Sequence, residues 1–190
     1  KHSVDDLRTL LAGKNVGVGI GIGDDSFSLG GATTPDDLEL QLQLFCAYLL
    51  DPGFRPEAER QFKAQLPMLF STFKHSAQGA QAQMSGWLHG GDGRFTIPTL
   101  EQAQALGTPD VVNWIKPQML ESALEIGIVG DIDTKALIPL LAKTVGALPA
   151  RKPAVKVADT LRVISVPETP ITKKFGFESK VPTAIAIVGW

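Results

Sequence analysis

The side chains that could do chemistry are few and widely separated. Histidine occurs at His2, His75 and His89. A zinc pair on one helical face needs two of them about one turn apart, and no two stand four residues from each other. Asp131 and Asp133 form an Asp-x-Asp pair. A hard cation asks for more oxygens than two spaced carboxylates supply, so capping of the following helix is the expected role of this pair. A serine elbow requires Gly-x-Ser-x-Gly, and Ser85 is preceded two residues earlier by Gln83. Cys46 is alone, so it builds neither an internal disulfide nor a thiolate metal site, and its apolar surroundings suit a small buried hydrophobe. The alternating Gly17, Gly19, Gly21 and Gly23 invite a dinucleotide reading. That fingerprint needs a third glycine at the sixth position, opening a helix; counting from Gly17 or Gly19 the sixth residue is Ile22 or Asp24. No catalytic, cofactor-binding or metal-ligating residue emerges from these patterns.

The elements that would position any site are more legible. Ser3 with Asp6 forms a capping-box pattern, and Gly13 ends the helix it opens. Val16, Val18, Ile20 and Ile22 alternate with glycine, which is the period of a strand with one apolar face. Asp24-Asp25-Ser26 reads as a turn into a second short strand over 27–29, completing a hairpin. Thr34-Pro35-Asp36-Asp37 is a helix start with a hydroxyl cap, a first-turn proline and acids at the positive end of the dipole. Leu38, Leu42, Phe45 and Leu49 then make a buried stripe, stopped by Asp51-Pro52-Gly53. Helices are predicted over 57–73, kinked or broken at Pro67, over 77–88, after the Thr99/Gln102 capping pattern, and over 111–120. Residues 124–129 read as a buried strand. Asp133 opens a helix to about Val145, bent or interrupted at Pro139, with Gly146 as its C-terminal cap. A Lys/Pro-containing link over 151–158 leads to strands at 161–166 and 182–188. Strands scattered among helices predict an α+β fold, with helices packed on one face of a mostly antiparallel sheet.

With 190 residues, 44% of them hydrophobic and 20% charged, the composition is that of a soluble globular protein. A net charge of −2 gives no field to hold a polyanion, which argues against nucleic acid. No apolar run approaches the roughly 20 residues that span a bilayer. A chain opening on Lys1 and closing on Trp190, straight after an apolar strand, is expected to be a piece of a longer one, so its compartment is not readable.

Three blocks occur in order: Gly31-Ala32-Thr33-Thr34-Pro35-Asp36-Asp37-Leu38-Glu39 continuing to Asp51-Pro52-Gly53-Phe54; the next helix with Glu57 and Glu59; and 124–133 followed by Gly146-Ala147-Leu148-Pro149. Together they resemble the M16 (pitrilysin-type, inverted-zincin) metallopeptidases over roughly residues 3 to 150. The resemblance implies repeated αβ domains, one half holding zinc through His-x-x-Glu-His and a later glutamate, the other closing over the substrate without ligands. This chain has no His-x-x-Glu-His, and no carboxylate stands around Gln65, Leu66 and Pro67 where the later ligand is expected. Tyr48, the one tyrosine, sits in the first long helix and does not match the tyrosine that the non-catalytic half turns to substrate. The implied identity is an N-terminally truncated, non-catalytic M16 domain (1–150), followed by a linker and either the first strands of the next repeat or closing strands of the same sheet (151–190). Such a domain would help enclose and orient a peptide hydrolysed by a zinc-bearing half in the same chain or a partner subunit. The alternatives are a non-proteolytic structural subunit of the processing-peptidase or respiratory-core type, and a stand-alone peptide-binding module.

Overall fold

The computed structural model of the chain describes residues 2–23, 26–155 and 159–188. The expected turn at Asp24 and Asp25, the end of the expected link at 156–158 and Trp190 lie outside them. The chain divides into two compact units, Lys1–Phe54 with Pro109–Lys156 and Arg55–Thr108 with Val157–Trp190.

The first unit opens with helix α1 (Val4–Leu10), fixed by the full capping box of Ser3 and Asp6. Gly13, at φ +75°, takes the left-handed conformation that turns the chain away from it. Strands β1 (Gly19–Ile22) and β2 (Phe27–Gly30) pair antiparallel, with Ile20 opposite Leu29 and Ile22 opposite Phe27. Those four side chains share one face of the hairpin. Phe27 and Leu29 pack on a core of Leu49, Ile115 and Met119, joined by Phe54 and Leu148, whereas Ile20 and Ile22 stay 50% and 59% exposed. A 3-10 turn (Pro35–Asp37) leads into α2 (Leu38–Leu50), which buries Leu42 and Leu49. Helix α6 (Thr108–Glu121) supplies Ile115 and Met119, four residues apart on one face.

The second unit is built on α3 (Pro56–Lys74), α4 (Ala77–Leu88), α5 (Leu100–Ala105) and the short α8 (Asp159–Arg162). Pro56, Glu57 and Glu59 favour the start of α3 and Lys74 its end. Leu66 is 2% exposed, and Ala80 and Ala103 are buried with it. Thr99 and Gln102 close the capping box of α5. Back in the first unit, α7 (Thr134–Lys143) starts where Asp133 accepts from the Lys135 amide at 2.9 Å, and Lys143 pairs with Glu39 of α2 at 2.8 Å.

The helices-on-sheet fold does not form. Among the described residues the sheet has two strands and the rest of the regular structure is helical, so the M16-like α+β domain is corrected to a mostly helical architecture with one hairpin. Residues 124–129, 163–166 and 182–188 carry the strand pattern yet belong to no strand, and Leu161 and Arg162 belong to α8. A helix closes its hydrogen bonds four residues away. A strand must find a distant partner, and two strands alone are marginal. Some local details also differ from expectation. Of the kink or break expected at Pro67 and Pro139, no break occurs: α3 and α7 continue through both prolines. The Thr34 side chain makes no cap bond. Gly146 sits in a 3-10 turn (Val145–Ala147), and α7 ends at Thr144, whose hydroxyl donates to the Leu140 carbonyl at 2.7 Å.

Glu59 makes the second unit acid-sensitive. Its carboxylate accepts from the Thr108 hydroxyl at 2.6 Å and the Thr108 amide at 2.9 Å, and pairs with Lys63 at 2.9 Å. The Thr108 hydroxyl bond leads these causes in drawing its pKa from 4.5 to about 2. A carboxyl lowered on folding stabilises above its unfolded pKa and loses that contribution as pH falls through the folded one. Urea midpoints should therefore drop between pH 4.5 and about 2, and Glu59→Gln should flatten that drop while lowering stability at pH 7. An identical acid profile in the variant would contradict this role.

Candidate functional site

A groove of about 550 Å³ lies in the first unit between β2 with its continuation through Pro35, α2, and residues 124–132. Its geometry begins with a buried polar residue. Gln41, 2% exposed on α2, donates from Nε2 to the Gly17 carbonyl at 2.8 Å and accepts at Oε1 from the Gly17 amide at 2.9 Å. That is the two-bond exchange by which facing residues of an antiparallel ladder pair. One carboxamide on a helix thus does for Gly17 what a neighbouring strand would do.

Two further residues complete this joint. Asp37, also buried, accepts from the Asn15 amide at 2.9 Å and from the Lys14 ammonium at 3.0 Å. The Asn15 amide first, and Lys14 second, hold its carboxyl below the ordinary value. Gly31 passes so close that a Cβ would stand 2.3 Å from the Gly17 oxygen and 2.8 Å from Gln41 Nε2, so no other residue fits without displacement. Residues 14–17, Gly31 and the start of α2 are therefore locked together, and β2 follows from that lock into the groove wall.

The opposite wall is different. Among the described residues, no backbone hydrogen bond joins 124–132 to another segment. Ile126 is 44% exposed and Val129 fully so. Glu125 and Asp131 are the charged residues of the described lining. Phe27, also lining the groove, meets the Trp114 ring edge-on at 5.2 Å. The arrangement offers a strand edge on one side and, on the other, a segment outside any helix or strand that makes no backbone hydrogen bond to another segment among the described residues, between apolar side chains.

The chemically capable residues are dispersed. His75 caps the end of α3, exposed, with Nδ1 3.5 Å from Glu178. His89 ends α4, its Nδ1 2.7 Å from the Ser85 carbonyl and its ring stacked on Phe95 at 3.8 Å. His2 is exposed. Cys46 is half-buried on α2, where burial pushes its thiol up and Arg151 only partly offsets it. Glu57 pairs with Arg60 at 3.2 Å, and Glu59 is spent on Thr108 and Lys63. Asp133 caps α7, and Asp131 reaches the groove. Among the described residues no three His, Cys, Asp or Glu side chains gather as a metal-holding group. Sequence patterns do not single out Gln41, Asp37 and Gly31 as a working set. The one signal they leave is a glutamine beside the Leu38–Leu42 stripe, with glycines at 17 and 31.

No family model, curated protein or solved structure matches the chain. Among the described residues, no helix is long and apolar enough to cross a membrane. The joint itself is open to test: Gln41→Leu keeps the size and strips both bonds from Gly17. Leaving that amide and carbonyl unpaired should cost about 1–3 kcal/mol in denaturant unfolding, with Gln41→Glu recovering part of it through the retained acceptor. Unchanged stability in Gln41→Leu would refute the role.

Proposed function

We propose that the first unit is a non-catalytic peptide-holding surface, which receives an extended chain by strand addition along β2 and residues 124–132. The observation that carries this reading is the pairing deficit: among the described residues, no third strand pairs with β2 and no backbone bond joins 124–132 to another segment, and both line a largely apolar groove. An extended peptide satisfies such groups through its own main chain, so grip does not depend on reading a particular sequence. The ordered M16-like blocks support placing this surface beside a zinc-dependent endopeptidase centre elsewhere in the same protein or a partner subunit. In that setting the unit encloses and orients substrate while another part hydrolyses it.

Calorimetric titration of the intact chain with a short uncharged peptide of alternating apolar residues tests the mode of binding. Saturable binding is expected, and N-methylating two edge-facing amides of the peptide should weaken it by about tenfold or more. Equal affinity for the methylated peptide would rule out strand addition. Turnover of casein by this chain with stoichiometric zinc would rule out a non-catalytic role.

A further inference from the structure

The second unit holds a groove of its own, about 870 Å³, between α3, α4 and residues 96–99. That lies within the roughly 300–1,000 Å³ of small-molecule sites. Phe70 and Phe73 of α3, Ala82 and Trp87 of α4, and Ile97 line it, and Lys74 is the charged residue of its described lining. Close approaches shape both ends. A Cβ on Gly79 would stand 1.9 Å from the Phe73 carbonyl oxygen, and one on Gly86 would stand 2.8 Å from Thr96 Cγ2. The loop behind the groove is braced by the Arg94–Asp92 pair and by His89 stacked on Phe95.

The chain itself displays the chemistry that the rim accepts. Phe175 lies with its ring centroid 5.9 Å from that of Trp87, and the Glu178 carboxylate stands 3.1 Å from Lys74 Nζ and 3.5 Å from His75 Nδ1. The Lys173 ammonium sits 5.3 Å from the Trp87 ring. Lys74 and His75 thus flank one carboxylate beside the groove that Lys74 lines, and the Lys173 ammonium lies over the Trp87 ring of the same lining. We propose that this groove binds a single-chain anionic amphiphile of the fatty-acid class, its tail along Phe70, Phe73 and Ile97 and its carboxylate on Lys74 in place of Glu178. A cationic head of equal length would meet the Lys74 ammonium at that position and is disfavoured.

Calorimetric titration of the intact chain with laurate, below its micelle-forming concentration, and with dodecyltrimethylammonium provides the test. Laurate should bind saturably at one per chain and the cation more weakly. Lys74→Gln should weaken laurate about three- to fivefold, Glu178→Gln should strengthen it by removing the internal competitor, and Ala82→Phe should block it by filling the groove. The substitutions at Lys74 and Glu178 are on exposed side chains, so folding is preserved whatever Ala82→Phe does. Absent saturation, equal binding of anion and cation, or laurate affinity indifferent to both charge substitutions would overturn the proposal.

Discussion

The double hydrogen bond between the Gln41 carboxamide and Gly17 is the constraint on which the first unit depends. It fixes where the chain enters β1, and it forbids a side chain at Gly31, where β2 leaves for the 3-10 turn. With Asp37 holding Lys14 and Asn15, the start of α2 carries the neighbours that the hairpin would otherwise draw from a larger sheet. A two-stranded ribbon is marginal by itself. Here it is anchored at its base by side chains from one helix and on its apolar face by Phe27 and Leu29 against Leu49, Ile115 and Met119.

The same economy explains the groove. Because a helix side chain supplies the pairing at Gly17, β2 and residues 124–132 are left facing each other without a third strand between them. The proposed peptide function rests on that geometry: an extended ligand would provide the ladder partners that the described residues lack. In the second unit the chain's tail plays a comparable part, with Phe175 and Glu178 supplying to Trp87 and Lys74 the contacts a bound molecule could replace.

How far the fold was legible depends on the range of the forces involved. Capping boxes at Ser3/Asp6 and Thr99/Gln102, the hairpin pairs Ile20–Leu29 and Ile22–Phe27, and the burial of Leu42 and Leu49 are set within a few residues and are present, whereas the alternation at Val16 and Val18 lies outside β1. Pro67 and Pro139 remove one helical bond each without ending their helices. The strand patterns at 124–129 and 182–188 fail because alternation reports a residue's preference for a pleated surface, not the existence of a partner. Expecting helices stacked on a sheet joins those patterns into a ladder that the chain does not build. The groove's polar joint stays hidden because a glutamine in a leucine-rich helix looks like a solvent-facing residue until its distant partner is known.

Amide hydrogen exchange at Gly17 tests the central claim most directly. If the Gln41 side chain acts as a strand partner, the Gly17 amide exchanges slowly, with protection comparable to the ladder amides of β1 and β2. Exchange at the rate of an open chain, while those ladder amides remain protected, would contradict it.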